Sequence, residues 1–582
     1  MKNFRKRVNA FLFITVLASS SLSCSKFLEL EPEDKLDISK NYKSVDDANA
    51  TVIGIYGKFL NLAKSHVLLN ELRADLVDIT PNSDQYLAQL STHSATLGNP
   101  YIDPRPYYEV ILNCNDALAN FDKMVQDHRM SVDDYNMRYS DIGALRSWIY
   151  LQLGIQYGEV PYITEAPQSV NDLQNLKSYP KITFDELLEK LIDFTSKLPY
   201  MEVAAYPAST TATSLVISVD ANNTQRLFIN KYLLLGDLYL WKEKYEEAAT
   251  AYKKVLSSED GNSNISVRYN YYKVGWSEEA NYANHIVKYV DNKNQQESAL
   301  ITSVDNGWRS IFGLPTTAGA WNSEWFWGIA YNPTYTKNPF LELCSNQFGK
   351  YLIKPSQAAI DNWNSQVQSS GIPYDARGRL SYSTSTGQPV ITKLTDNSEL
   401  LVGGGKWGIY RAASVHLHYA EAANRDGKGK LAYALLNTGI SGVFYQGTRD
   451  ANGGIAPVST AEQNTMITPY EEPYKFDART GVPGPWYRNI GIRSRAKLPS
   501  WGVEYQTDQI GLENKLIDEA ALELAFEGQR WSDLLRIARR RNDPSFLADK
   551  IYQKLVKAGN PNASAVREKL MDPKKWYLPF EM

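Results

Sequence analysis

Residues 224–256 read TQRLFINKYLLLGDLYLWKEKYEEAATAYKKVL, and their spacing decides the fold. Apolar residues recur at helical spacing up to Trp241 and again from Tyr245. Gly236 in the first run and Ala248 in the second are small, so the two helices can approach closely while aromatic side chains fill the remaining gap. The stretch therefore predicts a packed pair of helices over residues 224–241 and 245–256.

The same spacing resembles the tetratricopeptide repeat, which places Leu-Gly-x-x-Tyr on one helix and an alanine and an aromatic residue on the next. The match is carried by Leu235, Gly236, Tyr239, Ala248 and Tyr252, and its first half recurs at Leu153, Gly154 and Tyr157. Several such pairs along one chain predict a helical repeat scaffold.

Helical periodicity in the rest of the chain predicts a mainly α fold. Further helices are predicted over residues 45–63, 107–124, 139–157, 184–198, 410–425, 431–437 and 515–541. The stretches 200–223, 257–410 and 438–486 lack long helical runs. Loops of that length are usually functional or carry small strands.

Composition excludes some classes of protein. The 582 residues include 62 Lys and Arg against 65 Asp and Glu, a formal net charge of −3, which disfavours a nucleic-acid partner. Only 3 Cys and 6 His are present, which excludes a disulfide scaffold and disfavours a metal centre rich in these residues. No cofactor is predicted.

Residues 1–23 have the pattern of a secretory signal peptide, with a positive start, an apolar run over residues 8–17 and small polar residues after it. The run is too short to span a bilayer. Cys24 follows as at a bacterial lipoprotein cleavage site, so we predict that its thiol is acylated and that residues 24–40 form a tether. Ordinary cleavage near Ser23 with a free thiol is the alternative. Cys114 and Cys344 are predicted to be buried thiols.

Two common catalytic motifs are absent: the chain has no H-E-x-x-H and no G-x-S-x-G. Glu519, Glu523 and Glu527 follow one helical face and are better explained as a solvated or salt-bridged face than as a glycosidase pair. His416 and His418 are predicted to be structural.

Short motifs run in order along nearly the whole chain. They are Phe27-Leu28-Glu29 with Pro32, Tyr108 with Ile111, Cys114 and Asn115, Ala144-Leu145-Arg146, Tyr157-Gly158-Glu159-Val160-Pro161, Asp375 with Arg377, Tyr419-Ala420-Glu421-Ala422, Asn489 with Arg493, Arg495, Ala496 and Leu498, Glu523-Leu524-Ala525-Phe526-Glu527-Gly528-Gln529-Arg530-Trp531 with Asp533-Leu534, and Trp576-Tyr577-Leu578-Pro579 with Glu581. In this order they resemble the SusD/RagB family of outer-membrane lipoproteins of Bacteroidetes. The motif that starts at Glu523 is the most specific.

The resemblance implies a SusD-like helical scaffold with four tetratricopeptide-like helix pairs, long loops and a few short strands. It also implies a lipid-anchored protein at the cell surface that captures oligosaccharide without breaking a bond and delivers it to a SusC-like TonB-dependent barrel. The expected regions are an N-terminal helical region over 41–260 and a C-terminal region over 261–582 with a loop-rich ligand face. The family pattern is interrupted over 438–486, which we interpret as an insertion.

A sugar ring offers an apolar face of C–H groups and a rim of hydroxyls, so its site needs flat aromatic rings beside polar side chains. The densest aromatic cluster in the loops is Trp321, Trp325 and Trp327, with Asn322 and Tyr331 nearby. Core side chains beneath a long loop are the alternative interpretation for each tryptophan. The resemblance places a second group near the ligand face: Asp84, Tyr86, Asn99 and Tyr101.

Three other functions stay open at this point. The same scaffold binds peptides in RagB-like uptake, where charged pocket residues would matter more than stacking. A lipid-anchored glycoside hydrolase would need two carboxylates flanking a cleft, for which the sequence has no signature. A scaffold that only gates its barrel would bind no small ligand.

Overall fold

The computed structural model describes residues 42–167, 179–202, 206, 215–219, 222–257, 308, 310–313, 324–332, 334, 336–395, 403–444, 470–476, 478 and 491–582. Cys24 and the predicted signal peptide and tether lie outside these residues. Of the predicted insertion 438–486, residues 438–444, 470–476 and 478 are described.

The described chain is mainly helical, as predicted. Its first ten helices are α1 (Val45–Phe59), α2 (Ala63–Val67), α3 (Gln85–Ser91), α4 (Arg105–Gln126), α5 (Val132–Tyr157), α6 (Phe184–Ser196), α7 (Lys231–Trp241), α8 (Tyr245–Leu256), α9 (Ser310–Gly313) and α10 (Phe340–Cys344). The rest are α11 (Gln357–Asn364), α12 (Ala376–Ser381), α13 (Ala412–Arg425), α14 (Gly429–Leu436), α15 (Gly439–Phe444), α16 (Ile492–Arg495), α17 (Gln509–Glu523), α18 (Arg530–Arg541), α19 (Pro544–Lys557) and α20 (Ala563–Leu570).

Four helix pairs joined by short loops form the scaffold: α4 with α5, α7 with α8, α13 with α14, and α19 with α20. Helix α8 also packs on α13, so the stack continues from the N-terminal to the C-terminal region. Gly236 explains the close packing of α7 on α8, because a Cβ at this position would lie 2.3 Å from the Tyr252 ring. Gly154 of α5 meets the Phe184 ring of α6 in the same way, at 2.4 Å. The small-residue interpretation of both repeats is confirmed.

Strands are short and pair in antiparallel twos. They are β1 (Val77–Ile79) with β7 (Ile353–Pro355), β2 (Val160–Pro161) with β3 (Lys181–Ile182), β4 (Ser218–Val219) with β5 (Asn222–Asn223), β6 (Trp325–Ala330) with β10 (Lys406–Arg411), and β8 (Tyr382–Ser383) with β9 (Val390–Ile391). The helix predicted over 410–425 therefore begins two residues later, because Tyr410 and Arg411 belong to β10.

The prediction of one continuous helix over residues 515–541 is wrong. Helix α17 ends at Glu523 and α18 begins at Arg530, with Phe526 and Gly528 at φ of 73° and 81° between them. The Glu71 carboxylate accepts hydrogen bonds from the backbone N–H groups of Phe526 (3.3 Å), Gly528 (2.7 Å) and Gln529 (3.1 Å). A partner more than 450 residues away thus stabilises the break.

Glu519, Glu523 and Glu527 are buried and form ion pairs, so the salt-bridged interpretation of this face is correct and the solvated one is wrong. Arg377 joins Glu519 (2.7 Å) and Glu523 (2.8 Å), and Arg411 joins Glu523 (2.8 Å) and Glu527 (2.8 Å). Burial opposes the charge of Glu523, but its arginine neighbours outweigh burial and hold the pKa of this carboxyl well below its usual range.

The same buried cluster fixes strand β6. Glu324, directly before β6, accepts from Arg411 at 2.6 Å and from Arg495 at 2.8 Å. Arg495 also reaches Glu523 at 2.6 Å. A buried ion pair of this kind depends on both partners, because removing one of them leaves an uncompensated charge in the interior. The motif residues Arg377, Arg495 and Glu523 therefore meet in one structural cluster, and their role is architectural.

Candidate functional site

Three loop segments lie side by side and form what we name the loop surface: residues 82–101, residues 345–351 and the turn at residues 384–389. Asn82 Nδ2 donates to the Lys350 carbonyl at 3.0 Å. Asn346 Nδ2 donates to Thr386 Oγ1 at 2.8 Å, and the Tyr351 hydroxyl donates to the Pro389 carbonyl at 2.8 Å. These side-chain bonds join segments that are up to about 300 residues apart into one surface.

The structure brings Asp84, Asn99 and Tyr101 together on this surface. Asp84 caps α3 by accepting from the Leu87 N–H at 2.8 Å, and its other oxygen accepts from the Tyr101 hydroxyl at 3.0 Å. Asn99 accepts from the Tyr101 N–H at 3.0 Å and donates to the Tyr86 carbonyl at 3.0 Å. The four predicted residues 84, 86, 99 and 101 thus form one hydrogen-bonded loop, in which Asp84 and buried Asn99 hold the shape.

Tyr101 is a half-buried aromatic residue of that loop, as is Tyr86. Burial first, and then the hydrogen bond and charge of Asp84, raise the pKa of Tyr101 to about 12. The phenol therefore stays protonated near neutral pH. The Lys64 ammonium lies 5.6 Å from the centre of the ring, on the edge of the loop surface.

Phe348 is the aromatic residue that sequence reasoning missed. Its side chain is 64% exposed, although large apolar side chains normally avoid water. It stands in the segment Asn346-Gln347-Phe348-Gly349-Lys350, where a lone aromatic residue among polar neighbours shows no periodicity. That isolation is the signal that would have found it, since a ring with no core face to join is free to contact a ligand.

Trp325 and Trp327 are buried, as the alternative interpretation expected. Trp327 is 0% exposed, stacks on Phe59 with ring centres 5.6 Å apart, and donates from Nε1 to the Leu227 carbonyl at 2.9 Å. Trp325 donates from Nε1 to the Ile311 carbonyl at 2.6 Å and lies against Gly408, where a Cβ would be 2.2 Å away. Both indole N–H groups therefore hold β6 against the neighbouring backbone. Their ring faces are covered by protein because the strand that carries them is buried on both sides.

Tyr331 follows β6 and is buried as well, with its hydroxyl 3.5 Å from the Leu60 carbonyl. Lys64 belongs to α2, and Leu60 lies three residues before α2 begins. Tyr331 and Tyr101 therefore contact neighbouring residues of one segment from two different parts of the chain. Trp321 and Asn322 lie outside the described residues.

Other predicted residues have structural surroundings. His416 and His418 are both buried, and so are Cys114 and Cys344, whose thiol pKa values are raised by burial, that of Cys114 to about 12. Within the described ranges, no group of His, Cys, Asp and Glu side chains is placed to hold a metal ion. No described helix has the length and apolar character needed to cross a membrane.

Comparisons with known proteins give a family match in the C-terminal region and a shared fold. The model of the SusD family matches residues 489–579, the region that supplies Arg495, Glu519 and Glu523 to the buried cluster. No curated protein sequence matches the chain significantly.

Solved structures match the fold over most of its length. A SusD superfamily protein from Bacteroides vulgatus is 13% identical, with a TM-score of 0.54 and 92% of each chain covered. Surface glycan-binding protein A from Bacteroides uniformis is 16% identical, with a TM-score of 0.54, covering 92% of this chain and 96% of that one. A laminarin-binding SusD-like protein is 16% identical, with a TM-score of 0.52, covering 89% of this chain and 98% of that one. The SusD family model thus matches the C-terminal region of this chain, and the solved SusD-like structures share its fold over most of its length.

Proposed function

We propose that this protein is a non-catalytic lipoprotein of the cell surface that captures oligosaccharides and delivers them to a SusC-like TonB-dependent barrel in the outer membrane. Two proteins with the same fold are described as binding glycans, namely surface glycan-binding protein A and the laminarin-binding protein. Acylated Cys24 would hold the protein at the membrane.

One observation carries the ligand class: the exposed Phe348 ring stands on a surface made of hydroxyl and amide side chains. Asn82, Thr386 and Tyr101 lie on the same three joined segments. An aromatic face packs against the C–H face of a sugar, and hydroxyl and amide groups exchange hydrogen bonds with its rim. A surface made of three joined segments suits a chain of sugars better than a single buried ring.

Trp321 and Asn322 remain in the proposed site on the grounds of their sequence alone. Trp325, Trp327 and Tyr331 enter it as supports, because their side-chain bonds hold strand β6 in place. Asp84 and Asn99 support Tyr86 and Tyr101 in the same sense.

The proposal is tested with the mature chain, residues 24–582, carrying Cys24→Ser so that no lipid is attached. The protein is screened on an array of glycans and peptides, and the best ligand is titrated by calorimetry. Phe348→Ala removes the exposed ring and is expected to weaken binding by about tenfold, since stacking on one aromatic residue contributes about 0.5–1.5 kcal/mol beyond the buried area. Val503→Ala is the matched control, because Val503 is 72% exposed and lies outside the loop surface.

Each outcome separates the alternatives. Saturable binding of one glycan class, weakened by Phe348→Ala and not by Val503→Ala, with the glycan recovered intact, supports the proposal. Binding of peptides alone would replace it with RagB-like peptide uptake. Release of shorter glycans by the purified protein would show a hydrolase. Absence of any ligand, together with intact association with a barrel, would leave only the gating scaffold.

A further inference from the structure

A large open cleft lies between the C-terminal segment, the end of α5 and the start of α6, and it shares residues 95–97 with the loop surface. Its volume is about 1260 Å³, above the roughly 300–1,000 Å³ of pockets for small molecules. One wall is the segment 573–580, and the other consists of residues 95–97, 157–159 and 181–185. The cleft therefore has room for a chain-like ligand.

Positive charge dominates this cleft, although the whole protein carries a formal net charge of −3. Among the described residues that line it, six are cationic and two are carboxylates, Glu159 and Asp185. Asp185 is already engaged by Arg539 at 3.1 Å. The cations are Arg73, Lys181, Arg539, Lys569, Lys574 and Lys575.

Arg73 is a buried cation whose charge is not balanced by any described carboxylate. It is 1% exposed, and its guanidinium donates to the Gln156 side chain and to the Trp576 carbonyl, both neutral. Its Nε has no hydrogen-bond partner among the residues that the structure describes. A buried charge without a counterion is costly, so an anion entering the cleft beside Arg73 would be favoured.

Lys569, Lys574 and Lys575 form a second group of like charges on the rim. Lys574 and Lys575 are exposed, and Lys569 is held by a bond from its Nζ to the His93 carbonyl at 2.6 Å. Burial first and then the charge of Lys575 lower the pKa of Lys569, which shows that the like charges are close enough to repel. An anion between them would relieve this repulsion.

The aromatic rings of the cleft are not free to stack on a sugar. The Arg539 guanidinium lies 4.8 Å from the Phe184 ring centre, and the Lys181 ammonium lies 4.7 Å from that of Phe580. Gly158 lies against the Tyr577 ring, where a Cβ would be 2.8 Å away. Since cations and backbone cover these faces, the cleft offers charge, and beside it the exposed apolar side chain of Leu97, rather than a stacking platform.

We propose that this cleft is a docking site for an acidic peptide segment of a partner protein, whose carboxylates bind the lysines of the rim and the region beside Arg73. Its volume of about 1260 Å³ leaves room for an extended chain, its charge selects carboxylates, and exposed Leu97 offers a contact to an apolar side chain of the peptide. The site goes beyond the proposed glycan capture, because its cations lie on segments outside the loop surface and because it uses other chemistry.

The test is fluorescence anisotropy of a labelled hexaglutamate peptide titrated with the mature chain, residues 24–582 with Cys24→Ser. Lys574→Glu with Lys575→Glu reverses two exposed charges of the rim without touching a buried group. We expect the affinity for hexaglutamate to fall by about tenfold or more, and the affinity of the unaltered protein to fall as salt is raised.

Lys43→Glu with Lys123→Glu is the matched control. It changes the net charge by the same amount, and both lysines are exposed. Lys123 lies near the end of α4, fifteen residues from Tyr108, which contacts Phe580 at the cleft, a distance of roughly 22 Å along the helix.

Loss of hexaglutamate binding in the rim variant but not in the control would support the proposal. It is overturned if hexaglutamate does not bind, or if the two double variants lose binding equally, which would show attraction to net charge alone. It is also overturned if trigalacturonate binds and is lost in the rim variant while hexaglutamate does not bind, because the site would then take an acidic glycan. Glycan binding at the loop surface is expected to be unchanged in the rim variant. A protein that binds glycan but not hexaglutamate would therefore overturn the peptide site alone and leave glycan capture standing.

Discussion

His418 is buried between two aspartates that come from different helices. Its Nδ1 lies 3.2 Å from Asp237 on α7, and its Nε2 lies 3.4 Å from Asp533 on α18. Asp237 also accepts from the Tyr252 hydroxyl at 2.6 Å. Burial opposes a charge on the imidazole, but the bonds and charges of the aspartates outweigh it and raise the pKa of His418 to about 9.

This shift predicts how stability depends on pH. Because the folded-state pKa of His418 lies above the unfolded value of about 6.5, the imidazolium stabilises the fold fully below pH 6.5, and this contribution is lost as the pH rises through about 9. A shift of this size corresponds to roughly 3 kcal/mol. We therefore expect the difference in unfolding free energy between the unaltered protein and His418→Gln to shrink by about that amount from pH 6 to pH 9.5.

Urea denaturation at several pH values measures this difference. Other buried groups titrate in the same range, including Lys393, whose pKa burial lowers to about 8, but they are present in both proteins and cancel in the difference. A difference that stays constant across the pH range would show that His418 is not charged in the folded protein.

At the scale of elements, the pair α7 and α8 shows how one glycine sets the distance between helices. Gly236→Ala would place a methyl group 2.3 Å from the Tyr252 ring, which is fixed by its bond to Asp237. Overpacking of this kind costs about 1–3 kcal/mol. Thermal or urea unfolding is expected to show a loss of that size.

Gly54→Ala is the matched control for this prediction. Gly54 lies within α1 and is exposed, and a Cβ there would have no atom within 4 Å. Because alanine is the better helix former, this change is expected to add about 0.5–1 kcal/mol to the unfolding free energy. Equal losses in both variants would mean that helix propensity, and not the contact with Tyr252, decides the effect.

The same elements show what local sequence predicts. Helix α8 is found at the residues that its periodicity gave, 245–256, because its apolar stripe and its partner lie close together in the chain. The break between α17 and α18 was missed, because Glu71, which binds the N–H groups of Phe526 and Gly528, is distant in sequence. The spacing of apolar residues shows which face of a helix packs on a neighbouring element. It does not show where a residue distant in sequence will bind and end the helix.

At the scale of the whole molecule, the same limit applies to the candidate site. Motif order predicted the scaffold and placed Asp84 and Tyr101 in one region, where the structure joins them at 3.0 Å. The order of the motifs could not decide whether Trp327 faces a ligand or the core. The orientation of Trp327 depends on Phe59 and Leu227, which contact its ring from distant parts of the sequence. Phe348 stands alone among polar neighbours in the sequence, but its 64% exposure is seen only in the folded chain.

The proposed uptake function requires that the protein is attached to the membrane. The proposed retention depends on acyl chains at Cys24, which bind membranes by burying their methylene groups. We expect the full-length protein, expressed in a bacterium that processes lipoproteins, to enter the detergent phase on Triton X-114 partition and Cys24→Ala to stay in the aqueous phase. Cys114→Ala, which alters a buried thiol, is expected to behave as the unaltered protein does. If Cys24→Ala also entered the detergent phase, another part of the chain would hold the membrane, and the lipoprotein assignment would fail.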